Sequence, residues 1–279
     1  MALKLMYITN RPDVALIAES VGVDRIFVDM EYIGKKDRQG GMDSVKNRHT
    51  VEDVKNIRKV LTKSELLVRI NPIHEETDKY ISSEDEINEV VNAGADIIML
   101  PFFKTTREVK KFIDIVNGRA KVMLLMETPE AVAEVDNIIS IPGIDEIHIG
   151  INDLSLGYGM PFMFELLSDG TVERLCLKFK LAGIPYGFGG VASIGEGVIP
   201  AEVILKEHYR LGSSMVILSR SFCNVDKDTD INYIREKFEI GVRSMRAFEN
   251  EIALSHSYLS DNKKRIEEYV RKAIEEING

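Results

Sequence analysis

The chain has 279 residues, 44% of them hydrophobic and 29% charged, and a formal net charge of −9. That balance suits a globular protein with a sizeable core, and the acidity makes nucleic acid and anionic membranes poor generic partners. Cys176 and Cys223 form no CxxC pair and no zinc-ligand spacing, so core packing in a reducing compartment is their expected role. The N-terminal apolar stretch is interrupted by Asn10-Arg11-Pro12 too early for a signal peptide. No run is long enough to span a bilayer, and a cytoplasmic protein without a membrane partner is expected.

Short apolar runs alternate with helical patterns along the chain. Residues 3–9 read as a first strand and 12–21 as a helix. Residues 25–31 (RIFVDME) form a second strand, and Thr50 is placed to cap a helix over 51–61. A third strand over 65–71 (ELLVRIN) precedes a helix over 83–93 that opens on Ser-Glu-Asp-Glu, a capping-box-like start. The fourth strand covers 96–101, with its helix over 105–116. The fifth covers 121–127 (KVMLLME), and Pro129 suits the first turn of a helix to about 140. A sixth strand lies at 146–150, and a helix around 172–182 ends at Gly183. The seventh strand spans 185–191 with a helix over 201–211. The eighth spans 215–222, and a long helix starts near 231.

Eight mostly apolar strands alternating with helices predict a parallel sheet closed into a (β/α)8 TIM barrel over residues 1–250. Residues 251–279 then form a C-terminal helical extension. The absence of GxGxxG after the first strand counts against a dinucleotide fold.

In such a barrel the chemistry sits at the C-terminal ends of the strands. The polar residues there are Asp29 and Glu31, Arg69 and Asn71, Glu127, and Asn152-Asp153. Strand alternation places Asp29 with Glu31, and Arg69 with Asn71, on common faces. Two carboxylates from neighbouring strands suit a hard cation, Mg²⁺ or Mn²⁺, and no His/Cys cluster offers a zinc alternative. A divalent metal with open positions can chelate a 2-keto acid and act as a Lewis acid on the enolate formed when the adjacent carbon–carbon bond breaks. Arg69 would share that negative charge. A Schiff-base lysine is the other route, but Lys4 and Lys121 lie at strand beginnings, and Lys104 lies just past strand four.

The stretches FVDMEY (27–32), VRIN (68–71), GADIIMLPFFKTTREV (94–109), LMETPEAV (125–132) and IDEIHIGINDLSLGYG (144–159) resemble the HpcH/HpaI aldolase and citrate lyase beta-subunit family. The resemblance covers roughly residues 5–222. It implies a divalent metal held by Glu127 and Asp153, and Arg69 on the keto oxygen. It also implies substrate-carboxylate binding by backbone N–H groups near Asn152 and Asp153. Family members are usually oligomers whose C-terminal helices pack on a neighbour. Two departures stand out. Tyr32 occupies the place of a histidine active in proton transfer, and Leu125 replaces a glutamine. Asn92 aligns with that histidine's acidic partner.

Each residue also has a plainer reading. Glu127 and Asp153 could pair with a barrel arginine, Glu31 could orient Arg69, and Asp29 could satisfy backbone or orient water. Tyr32 could line the pocket or act as acid–base, although a phenol of ordinary pKa near 10 is a poor base. His148 reads as a core residue, while His49 and His74 read as loop residues above the mouth. The basic loop 33–49 is either solvated surface or a lid for an anionic substrate. Gly187, Gly189 and Gly190 either approach a phosphate or make a tight turn.

The expected activity is a divalent-metal-dependent carbon–carbon lyase of aldolase type acting on a 2-keto acid. A lyase acting on an acyl-CoA thioester is the alternative in chemistry. A non-catalytic keto-acid or phosphorylated-ligand binding barrel is the alternative in class. Over 263–277, Ile266, Val270, Ile274 and Ile277 form an apolar stripe. It could fold back on its own barrel, and the resemblance points instead to a homo-oligomer interface.

Overall fold

A computed structural model describes residues 2–35, 49–225, 227–254, 259 and 261–278. Eight parallel strands close in sequence order into one barrel. They are β1 (Lys4–Ile8), β2 (Arg25–Asp29), β3 (Glu65–Arg69), β4 (Ile97–Leu100), β5 (Lys121–Met126), β6 (Glu146–Ile149), β7 (Tyr186–Val191) and β8 (Met215–Leu218). Closure comes from β8 pairing with β1, Met215 opposite Lys4 and Leu218 opposite Tyr7. The strands are buried on both faces because helices cover the outside and side chains fill the inside, which is why they read as unbroken apolar runs.

The outer layer is α1 (Pro12–Ser20), α2 (Val51–Val60), α3 (Ser83–Asn92), α4 (Thr106–Val116), α5 (Pro129–Ala133), α6 (Val135–Ile139), α7 (Ile151–Gly157), α8 (Glu165–Ser168), α9 (Thr171–Leu181), α10 (Ala201–Leu211), α11 (Ile231–Leu254) and α12 (Asn262–Asn278). Thr50 caps α2 in a reciprocal box with Asp53. The cap of α3 is Ser82, one residue before the expected start. Ser83 is buried, and its Oγ accepts the His74 N–H at 2.8 Å, tying the loop after β3 to the helix. The helix expected to run to 140 is split at Glu134 (φ −94°, ψ 9°) into α5 and α6. The short α7 and α8 were not expected. β8 stops at Leu218 rather than 222, and Ser219 N–H instead closes onto Val191 O at 2.9 Å.

Inward-facing residues stack in layers along the barrel axis, as a two-residue period requires. At the bottom, Arg25 is fully buried. Its guanidinium bonds both oxygens of Glu146 (2.5 and 2.7 Å) and Glu65 (2.8 Å). Above it sit Met6, Phe27, Leu67, Met99, Met123 and Leu125. The same periodicity then brings Asp29, Arg69 and Glu127 to the top. Arg25→Met would leave buried Glu146 with only Lys4, 3.6 Å away, to offset its charge. A loss of about 3–5 kcal/mol is expected, read as a lower urea midpoint.

α11 runs through residue 250, so the expected boundary between barrel and extension falls inside a helix. α12 packs on α8 and α10 of the same chain. Asn262 is buried, donating to Val203 O (3.1 Å) and Glu207 Oε2 (2.8 Å), and Lys263 pairs with Glu173 at 2.7 Å. Ile266 and Val270 are buried there, while Ile277 is 52% exposed. The stripe expected at a subunit interface is thus largely used within the chain. The physical reason is that Asn262, at the start of α12, bonds to α10. No helix among the described residues is long and apolar enough to cross a membrane.

Candidate active site

A cavity of 610 Å³ opens at the C-terminal ends of the strands. Its polar wall includes Asp29, Lys35, Arg69, Glu127, Asn152 and Asp153, from four different strand ends. A smaller cavity of 220 Å³, bordered by His49 and Arg11, shares Ile8, Ile217, Ser219 and Arg220 with it. A wider depression of 770 Å³ lies on the outer wall over α3 and α4, where Arg107, Lys110 and Lys111 gather with Glu84 and Asp114. It contains no strand-end residue.

Arg69 anchors one side. Its Nε and one terminal nitrogen grip Asp29 at 2.7 and 2.8 Å, and the other lies 3.3 Å from Glu31 Oε2. Burial opposes the guanidinium charge, but Asp29 and Glu31 outweigh it and raise its pKa further. Burial pushes the Asp29 carboxyl up. Arg69 and Lys35 more than reverse this, and it ends well below the usual carboxylate range. Asp29 Oδ1 also accepts the Glu31 N–H at 3.2 Å, and the Asp29 N–H is met by His49 Nδ1 at 3.0 Å. Glu31 is buried behind Arg69 rather than on the cavity wall.

Glu127 anchors the other side. The Phe102 N–H reaches its Oε1 at 3.0 Å, aimed there by a left-handed backbone (φ 48°) that a non-glycine residue rarely adopts. Thr128 Oγ1 donates to Phe103 O at 2.7 Å and caps α5, so the Glu-Thr pair locks two strand ends together. Gly150 is needed beside it. A Cβ there would lie 2.7 Å from Glu127 Oε2. Burial, then Glu31 and Asp153, drive the Glu127 carboxyl well above its ordinary pKa, against the pull of Arg69. Asp153 follows on α7, its Oδ1 accepting from Asn152 Nδ2 at 3.1 Å.

The donor set at Glu127 and Asp153 is hard oxygen. Its mutual repulsion is the kind a divalent cation relieves. Among the described residues no group of three or more His, Cys, Asp or Glu is arranged to hold a metal ion. Glu127 and Asp153 are two hard-oxygen groups on one wall of the cavity.

Other expected residues fall elsewhere. Tyr32 does not line the cavity. Its ring lies 5.5 Å from that of Tyr80, it is 46% exposed, and burial followed by Glu86 raises its pKa. Asn92 is exposed at the far end of α3. The carboxylate on that helix nearest the mouth is Glu86, which accepts from Asn71 Nδ2 at 2.7 Å. Asn71 Oδ1 in turn accepts the N–H groups of Tyr32 and Ile33 (2.9 and 3.0 Å). Glu86 was missed because a glutamate in a first helical turn normally faces solvent; its place on the buried face with Ile87 and Val90 was the available signal. Lys104 pairs with Glu130 outside the cavity. Lys35, read from sequence only as loop charge, reaches the site instead, 3.0 Å from Asp29 Oδ2 and 3.6 Å from Glu31 Oε2. The rest of the expected lid, including Lys36, Arg38, Lys46 and Arg48, lies outside the described residues. Gly189 and Gly190 line the cavity, whereas Gly187 packs against Met215.

His148 lines the cavity floor, and its Nε2 lies 3.0 Å from Gly189 O. Burial lowers its pKa to about 4, and burial with His148 nearby lowers that of His208, stacked on Phe188, to about 3. Unfolded histidines titrate near 6.5. Below that pH the unfolded chain takes up protons that the folded chain refuses, so stability falls on acidification from about 6.5 towards 4. The expected slope is up to about 1.4 kcal/mol per pH unit for each histidine. Urea midpoints at pH 7 and 5 test this, and His208→Gln should remove about half the difference.

The HpcH/HpaI aldolase/citrate lyase family model matches residues 4–163, more than half of the chain. The chain belongs to this family. The match runs from β1 through α7 and contains every site residue discussed up to Asp153; β7, β8 and α8–α12 lie beyond it. Family membership supports a lyase or aldolase type of function. No curated protein matches the chain. Among solved structures, an HpcH/HpaI aldolase from Desulfitobacterium hafniense DCB-2 aligns with TM-score 0.59 at 16% identity, covering 78% of this chain and 86% of its own. An HpcH/HpaI aldolase/citrate lyase family protein from Burkholderia cenocepacia J2315 aligns with TM-score 0.62 at 16% identity, covering 84% and 94%. At such identity these likenesses speak for the barrel alone.

Proposed function

We propose that the protein is a divalent-metal-dependent carbon–carbon lyase of aldolase type, acting on a 2-keto acid. The observation that carries this reading is the placement of Glu127 and Asp153 on one cavity wall, repelling each other, with Arg69 fixed across from them. Glu127 and Asp153 would hold Mg²⁺ or Mn²⁺. When bound, the cation supplies Lewis acidity at the keto oxygen.

The chain's own residues do the rest. Arg69, held by Asp29 and Glu31, presents a fixed positive charge to the oxygen on which negative charge grows as the carbon–carbon bond breaks. Asn152 and Asp153 lie in the first turn of α7, where N–H groups lack intrahelical acceptors and can receive the substrate carboxylate. The apolar floor of Phe27, Met99 and Leu125 excludes water from beneath the reacting carbons.

The test is exchange of pyruvate methyl protons with D2O, followed by NMR. Exchange that requires Mg²⁺ or Mn²⁺ is expected. Its absence with either metal would refute the reading, and dependence on added CoA would redirect it to an acyl thioester. Homo-oligomerisation belongs to the same proposal. It rests on the family likeness and on Leu177 and Leu181, one turn apart on α9 and 58% and 80% exposed. Light scattering at micromolar concentration should read more than one chain per particle, and a monomer would end that part of it.

A further inference from the structure

The site described above lacks the histidine usual for proton transfer, and Tyr32 in its place lies off the cavity. We propose that Lys35 is the proton donor to the carbonyl oxygen of the second substrate, an aldehyde, and that it therefore acts as a catalytic residue. This rests on the carbon–carbon lyase reading and adds the identity of its acid.

Geometry selects Lys35 from the groups on the cavity wall. Its Nζ lies 3.0 Å from Asp29 Oδ2 and 3.6 Å from Glu31 Oε2, and its side chain is 13% exposed. An ammonium has three N–H donors and no lone pair. One of the three is given to Asp29, and Glu31 adds an ion pair, so N–H groups remain for a ligand. Arg69 cannot take the role. A guanidinium does not release its proton, and Arg69 faces the keto oxygen on the reading above. His148 sits on the floor with Nε2 engaged at Gly189 O. Asp29 is committed to Arg69 and Lys35, and Glu127 and Asp153 form the metal platform.

The step balances. In the condensing direction the electron pair of the keto acid's methyl carbon forms the bond to the aldehyde carbon. The carbonyl π pair moves to oxygen, and that oxygen takes a proton from Lys35 Nζ, which then recovers one from water. Cleavage is the reverse of this step: the hydroxyl proton passes to Lys35 Nζ as a proton leaves Nζ for water, the carbonyl re-forms, and the carbon–carbon pair returns to the keto acid. Among the described residues, Asp29 and Glu31 on the β2 end and Arg69 on β3 are the charged groups facing the amine, and the two carboxylates hold it in place through both directions.

The experiment compares Lys35→Met and Lys35→Arg with the wild type in three measurements. These are Mn²⁺ affinity, pyruvate methyl-proton exchange, and condensation of pyruvate with glycolaldehyde or glyoxylate. Both variants should keep Mn²⁺ affinity and exchange within a few-fold. Both should lose condensation by about 100-fold or more, the scale of a missing general acid. Arginine preserves the ion pairs but cannot give up its proton, so rescue by Lys35→Arg would show a structural role and overturn the proposal. Equal loss of exchange and condensation would do the same. A wild type that exchanges but condenses with neither aldehyde would also overturn it, since Lys35 would have no carbonyl to protonate. A wild type without exchange would bring down the lyase reading itself, and the two failures are thereby told apart.

Discussion

Glu127→Gln is expected to abolish measurable Mn²⁺ binding while the protein stays folded, and Asp153→Asn to do the same. Each change removes a formal ligand charge with almost no change in shape, and a hard divalent cation held by only two carboxylates depends on both. Glu127→Gln has a second effect that sharpens the test. The buried carboxylate is destabilised by Glu31 and Asp153, so neutralising it without metal should stabilise the fold rather than weaken it. Calorimetric titration with Mn²⁺ and a thermal melt in chelator read the two effects separately. Unchanged Mn²⁺ affinity in both variants would remove the metal from Glu127 and Asp153.

Arg69→Lys is expected to lower kcat/KM by about 100-fold or more, the scale of one lost oxyanion donor. A lysine cannot reproduce the two parallel bonds to Asp29 while also reaching Glu31, so charge is kept but position is lost. The loss should fall on kcat rather than KM, because the interaction strengthens only as charge develops. Steady-state kinetics with the substrate identified by the exchange assay decide it. Near-wild-type turnover would show that Arg69 only neutralises Asp29 and Glu31.

The barrel and most of its mouth were legible in the sequence for a specific reason. Period-two alternation put Arg25, Phe27 and Asp29 in one column and placed Glu127 directly after β5, so inward residues could be counted upward to the strand ends. Arg69 and Glu127 then stood at strand ends, and the family resemblance pointed to Asp153 on the first turn of α7. Residues delivered by loops and helices could not be counted in this way. Lys35 sits four residues beyond Glu31, outside any periodic element, and only the turn at Tyr32 and Ile33, pinned by Asn71, brings its amine back over Asp29. Glu86 arrives through the register of α3. Asn92 shared that helix in sequence but lies at its opposite end. The last helix shows the same limit, since an amphipathic stripe states that something must cover it and not which surface does.

The ionic plug of Arg25, Glu146 and Glu65, with the thioether and aromatic layer above it, closes the barrel from below. Among the described residues the cavity is therefore closed at its lower end. Traffic through it is last in, first out: the reactant seated deepest enters first and departs last. On the reading proposed above, a keto acid held at Glu127, Asp153 and Arg69 would take that deep berth and an aldehyde would come and go above it. Ordered kinetics would then be expected, with the keto acid as the product that competes with the intact substrate for the empty enzyme.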